Sequence, residues 1–287
     1  RDDVESRGLG DVYKRQVLNN NGVIAIDMDE NKEYVILGKG VGFGKKVSQR
    51  FDKPEGCTTY RLEQETERGS AKELVKGIEP EYLEIADAIL TESQKVFGDS
   101  IDRGILFPLA DHISFAVARI RRNEQISNPL TEDIKVLFYS EFKVAETLKT
   151  ILRERLQIEI DDHEVGYVAL HIHSAIGDEK VSVAMQTARA VRECIDMIEK
   201  ATGKPIDVLS LSYNRLMNHM KYMVARASTG EKLNLDMNEY MLDQYPQAYK
   251  VATDICKNLE GCIGHKLDET ETGYLAMHIQ RVYKDAV

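Results

Sequence analysis

The segment Glu164-Val165-Gly166-Tyr167-Val168-Ala169-Leu170-His171-Ile172 returns as Glu271-Thr272-Gly273-Tyr274-Leu275-Ala276-Met277-His278-Ile279, 107 residues later. His112 and His219 are separated by the same offset. A duplication constrains the fold more than any composition figure, because both copies must adopt the same architecture. Each copy holds two histidines 59 residues apart. The chain therefore reads as carrying two sister domains with equivalent titratable positions.

At 287 residues the chain has room for two or three domains, and 43% hydrophobic residues allow a substantial core. The net charge is -10, yet residues 13–50 carry seven Lys/Arg against four Asp/Glu. A small basic module joined to acidic domains can meet a polyanion locally while the rest stays soluble. The sequence has no run of 18 apolar residues, so no membrane insertion is expected. The start is polar, without an apolar signal core, and cytoplasm is the expected location. Residues Arg1 to about Asp11 read as material outside the fold. Cys57, Cys194, Cys256 and Cys262 form no disulfide framework and no convincing metal site, and no cofactor is expected.

The N-terminal module reads as three to four short antiparallel strands. Val12 to Leu18 is apolar and extended, Asn19-Asn20-Asn21-Gly22 is a turn, and Val23–Met28 is a strand. Glu33–Leu37 is another, and a last short strand runs through Val47 to Phe51. So small a sheet would gain from dimerising. Between the last two strands lies Gly38-Lys39-Gly40-Val41-Gly42-Phe43-Gly44-Lys45-Lys46. It lacks the spacing of a nucleotide-binding P-loop and the βαβ context of a dinucleotide fingerprint. Two readings stand: a hairpin loop with solvated lysines, or a nucleic-acid surface. In the second, Lys39, Lys45 and Lys46 meet phosphates, Phe43 stacks on an unstacked base, and Asn19 and Asn21 bond base edges.

From Tyr60 onward the pattern becomes helical. Residues 52–68 read as a linker leading into a helix. Candidate helices are 80–97, 103–122, 132–155 and 162–175, then 180–200, 207–227, 238–259 and 269–284. Leu83, Ala86, Ile89 and Leu90 form one apolar stripe, and Pro80 suits a helix start. The fold class is multidomain: a small antiparallel β-sheet domain at 12–66, then all-α helical bundles at 67–178 and 179–287.

The residues alone leave the histidines open. A structural role, a metal site, acid–base catalysis and phosphorylation on a ring nitrogen all place histidine on helices. There is no His-Glu-x-x-His, which argues against a protease zinc site. Acid–base work needs a tuned pocket, and no other catalytic signature appears. Phosphorylation adds charge and acceptor oxygens, and so can reset packing at an interface.

The chain resembles the BglG/SacY family of bacterial transcriptional antiterminators across residues 13–287. Val17 to Gly22, with Gly38 to Lys46, resembles the family's co-antiterminator RNA-binding domain. Asp111-His112-Ile113-Ser114-Phe115-Ala116 and Gly166 to Ile172 resemble the histidine motifs of its first phosphotransferase-regulation domain. Asn218-His219-Met220-Lys221 and Gly273 to Ile279 resemble those of the second. The resemblance implies a homodimer that binds a hairpin in the leader mRNA of a sugar-utilisation operon and excludes an overlapping terminator. It implies RNA contact by Asn19, Asn21, Gly38, Lys39 and Phe43, to which the reading of the glycine-lysine run adds Gly40, Lys45 and Lys46. It implies phosphorylation of His112 and His171 by a sugar-specific permease component. His219 and His278 would take phosphate from the phosphocarrier HPr. No chemical step on RNA is implied, and so no catalytic residues.

Two other functions compete. A DNA-binding activator sharing the regulatory domains would place a helix-turn-helix ahead of them, whereas residues 12–51 read as strands. An enzyme using all four histidines would need them in one pocket, whereas the duplication predicts two sites.

Overall fold

The computed structural model describes residues 12–285 except 28–31, 45–49, 52–55, 63–64, 67–68, 125, 178–179, 204 and 208–209. It divides into two compact units, one of residues up to 127 with 143–178, the other of 128–142 with 179–287.

The first unit opens with strands β1 (Val12–Asn19), β2 (Gly22–Asp27), β3 (Lys32–Leu37), β4 (Arg50–Phe51) and β5 (Thr58–Arg61). They form one antiparallel sheet in the order β4-β1-β2-β3-β5. The β1–β2 turn is the Asn-rich one, with Asn19 paired to Gly22. Central β2 buries Val23, Ile24 and Ala25; Val23 and Ala25 form a core cluster with Ile36 and Val41, against which half-buried Cys57 packs. The described residues of the 52–68 stretch include strands where a linker was expected. They supply β5, whose Tyr60 is buried, and β6 (Glu65–Thr66), which pairs with β7 (Gly69–Ser70).

Gly42 is needed for close approach: a Cβ there would meet the backbone oxygen of Asn19 at 2.1 Å. Gly42→Ala is expected to force the loop off the hairpin at a cost of roughly 1–3 kcal/mol. Urea unfolding of the variant checks this, and an unchanged midpoint would refute it.

Helices α1 (Ala71–Gly77), α2 (Pro80–Phe97) and α3 (Leu106–Arg121) follow. Pro80 sits in the first turn of α2, and Leu83, Ala86, Ile89 and Leu90 are all fully buried. The candidate helix 132–155 is three helices: α4 (Thr131–Leu137), α5 (Tyr139–Ala145) and α6 (Thr147–Leu156). Then come α7 (Asp162–Gly177), α8 (Val181–Thr202) and α9 (Leu211–Thr229). The candidate helix 238–259 is two, α10 (Asn238–Gln244) and α11 (Pro246–Ile263), because Pro246 starts a new helix. The last is α12 (Glu271–Asp285).

Residues 128–142 group with 179–287 in the second compact unit. Here α4 packs on α8 and α9, burying Ile134 and Leu137. Buried Asp133 accepts a 3.5 Å hydrogen bond from the Tyr213 hydroxyl. In the second unit α12 packs against α9, α10 and α11. Gly273 permits this, since a Cβ there would stand 2.7 Å from the Asn238 nitrogen. The glycine of the second Gly-Tyr motif thus has a packing cause.

Candidate RNA-binding surface and histidine clusters

The glycine-rich turn is knitted to the β1–β2 turn by backbone bonds. Gly38 N–H donates to the Asn21 carbonyl at 2.9 Å, and Gly42 N–H to the Asn20 carbonyl at 3.0 Å. Gly40 N–H donates to the Asn21 side-chain oxygen at 2.9 Å. The Asn19 side-chain oxygen accepts from Asn21 N–H at 2.8 Å. Both carboxamides are therefore oriented through their oxygens, which leaves their NH2 groups as outward donors. Both donors meet Glu84 of α2: Asn19 Nδ2 reaches Oε1 at 2.7 Å and Asn21 Nδ2 reaches Oε2 at 3.2 Å. Lys39 is exposed and Phe43 is 72% exposed, so the ring packs little within the chain. Asn19, Asn21, Gly38, Lys39, Gly40 and Phe43 thus belong to one pair of linked turns. Lys45 and Lys46 lie outside the described residues.

The four histidines form two pairs, one in each unit. The His112 and His171 rings, on α3 and α7, lie 5.3 Å apart. The His219 and His278 rings, on α9 and α12, stack at 4.8 Å. Each pair has a buried carboxylate and an arginine. Glu164 Oε2 lies 3.5 Å from His112 Nε2, while Arg119 donates to Oε1 at 2.8 Å. Glu271 Oε2 lies 3.7 Å from His219 Nε2, while Arg226 grips both its oxygens at 2.6 and 2.9 Å. Tyr167 and Tyr274 flank the first histidine of each cluster.

Every member obeys the 107-residue offset, Arg119 with Arg226 and Glu164 with Glu271 included. Sequence reasoning missed both ion pairs, although applying the same offset to charged residues would have found them. The copies differ at the rim. Arg153 pairs with Glu159 in the first, and at the equivalent positions Glu260 pairs with Lys266, so the ion pair is reversed.

The clusters bias protonation. Burial first, then the neighbouring His278 and Arg226, pushes His219 down to about 3. Burial first, then Arg281 and Arg215, pushes His278 down to about 4. Both imidazoles are therefore neutral near pH 7 and keep a lone pair. Burial works to raise Glu164, but His112 and Arg119 beside it outweigh that and hold its carboxyl below the usual range. Among the described residues no group of three or more His, Cys, Asp and Glu side chains is arranged to hold a metal ion. No helix there is long and apolar enough to cross a membrane.

The sequence matches the PRD domain family over residues 87–175 and 192–282, and the CAT RNA binding domain over 15–69. Each histidine cluster falls within one PRD match. The chain belongs to the PRD-containing antiterminator family. It is 30% identical to the GlcA/glcB genes antiterminator of Staphylococcus carnosus, covering 92% of this chain and 93% of that protein. It is 27% identical to the transcription antiterminator LicT of Bacillus subtilis, over 94% and 99%. The crystal structure of GlcT CAT-PRDI superposes with a TM-score of 0.51 at 28% identity, over 58% of this chain and 99% of that one. Within the family's architecture the sheet is the CAT domain, and the histidine pairs belong to its two PRD copies.

Proposed function

We propose that this chain is an RNA-binding transcriptional antiterminator, not an enzyme, regulated by phosphorylation of its PRD histidines. The observation that carries the reading is the pairing of a CAT sheet with two matching His–His–Glu–Arg clusters. As a homodimer it binds a leader mRNA hairpin of a sugar-utilisation operon and stabilises it against a terminator. Asn19, Asn21 and Lys39 supply donors and charge, Phe43 supplies a stacking face, and the glycines let the backbone come close.

His112 and His171 take phosphate from a sugar-specific permease component, His219 and His278 from HPr. A neutral imidazole is the form that can accept a phosphoryl group. On His112 or His219 the added charge would stand against Glu164 or Glu271, while Arg119 or Arg226 is the nearest counterion. Phosphorylation therefore favours a re-pairing in which the arginine leaves the carboxylate for the phosphate. The side chains of His112 and His219 are 10% and 8% exposed, so a donor reaches them in an opened arrangement. The phosphate then biases the open–closed population.

The test is binding of the full chain to a bulged stem–loop RNA, with matched DNA and a perfectly paired RNA duplex as controls. Selective binding to the stem–loop is expected; equal binding to all three would overturn the reading. Phe43→Ala is expected to weaken stem–loop binding about ten- to hundredfold, the usual effect of losing one base-stacking ring. An unchanged Kd would remove Phe43 from the surface.

A further inference from the structure

We infer that Glu84 is an internal competitor for RNA, docked from α2 onto the carboxamide donors of Asn19 and Asn21. The inference rests on the RNA-binding reading and adds to it a means of control. Glu84 lies between the stretches that match the CAT and PRD families. Its two oxygens take one donor each, at 2.7 and 3.2 Å. Both donors are aimed by hydrogen bonds to their own side-chain oxygens, and one of those bonds comes from the glycine-rich loop itself. A phosphate oxygen or a base-edge acceptor needs the same donors, so it and Glu84 exclude each other. The carboxylate also opposes an approaching polyanion through its charge.

The competitor is held in place from several sides. Arg155 stands 3.6 Å from Glu84. One turn along α2, Asp87 accepts from the Tyr60 hydroxyl of β5, and Arg103 donates to both, at 2.7 and 2.8 Å. Glu84 and Asp87 share a helix face, so one docking event sets both contacts. Helix α2 also packs on α3 and α7, which carry His112 and His171. A shift of those helices therefore has a direct route to the RNA-binding donors, and RNA binding has the same route back.

The experiment compares Glu84→Ala, Glu84→Gln and Glu81→Ala in the full chain, by titration with the bulged stem–loop RNA. Glu81 is exposed on the same helix and has the same charge. Glu84→Ala is expected to tighten binding roughly tenfold, as follows from removing a charged hydrogen-bonding rival. Glu84→Gln should fall between it and the parent, and Glu81→Ala should change Kd less than twofold. Equal tightening by Glu81→Ala and Glu84→Ala would reduce the effect to bulk charge and overturn the inference. So would RNA-free spectra in which Glu84→Ala leaves the Asn19 and Asn21 side-chain NH2 resonances unmoved. Stem–loop binding that is intact but insensitive to Glu84 sinks the competitor alone. A lack of stem–loop binding by parent and variants sinks the RNA-binding reading, and the inference with it.

Discussion

Replacing Glu271 by Ala is expected to cost the second PRD copy about 3–5 kcal/mol, the usual penalty for stranding a buried charge. Arg226 binds Glu271 through two nitrogens, and the two side chains are only 15% and 2% exposed. Without the carboxylate the guanidinium is left beside the His219 imidazole, which is itself desolvated. Relief through solvent is limited by its burial, so folding bears most of the loss. The homologous Glu164→Ala should cost less, because Arg119 makes one hydrogen bond to Glu164 and its side chain is 25% exposed. Thermal and urea unfolding of the full chain resolve the difference, read as two transitions. Replacing both Arg226 and Glu271 by Met should recover much of the loss, since an apolar pair leaves no stranded charge. A Glu271→Ala protein as stable as the parent would mean that the pair is solvated.

The duplication made much of this legible. Once one offset related His112 to His219 and His171 to His278, two clusters in two domains were the natural expectation. The strands around Val23 to Ala25 and Val35 to Leu37 were visible because β-branched runs sat between turn residues. The apolar stripe of α2 was visible because its spacing is helical.

Other features were hidden for identifiable reasons. The break between α4 and α5 falls at Phe138, where neither Gly nor Pro marks it. Its counterpart falls at Tyr245, just before Pro246, so the second copy held the missing signal. The fifth strand was hidden because the turn-forming residues Pro54 and Gly56 stand just ahead of it in the sequence. Glu84 looked like any polar residue on an amphipathic helix. Its partners Asn19 and Asn21 lie 65 and 63 residues away, and only tertiary packing brings them together.

Lowering the pH from 7 to 5 is expected to destabilise the second compact unit, which holds His219, His278 and Asp133. His219 and His278 have folded-state pKa values of about 3 and about 4, both depressed below 6.5. Their contribution is complete above pH 6.5, where both states hold neutral imidazoles. It falls as the pH drops, because the unfolded chain takes up protons that the folded cluster refuses. Each imidazole adds a slope of about 1.4 kcal/mol per pH unit between those limits. Asp133 opposes this. Burial, its first cause, raises it to about 6, so its contribution grows as the pH falls from about 6 towards 3.8. Two imidazoles against one carboxyl leave a net loss close to one proton's worth per pH unit. His219→Asn should remove one of the two imidazole slopes, leaving stability nearly flat between pH 6 and 5. The direct check is imidazole titration in the folded chain by NMR: the His219 and His278 ring signals should stay fixed from pH 7.5 to 5. Midpoints near 6.5 would show that both rings are hydrated, and would refute the loss of stability at low pH argued from their burial.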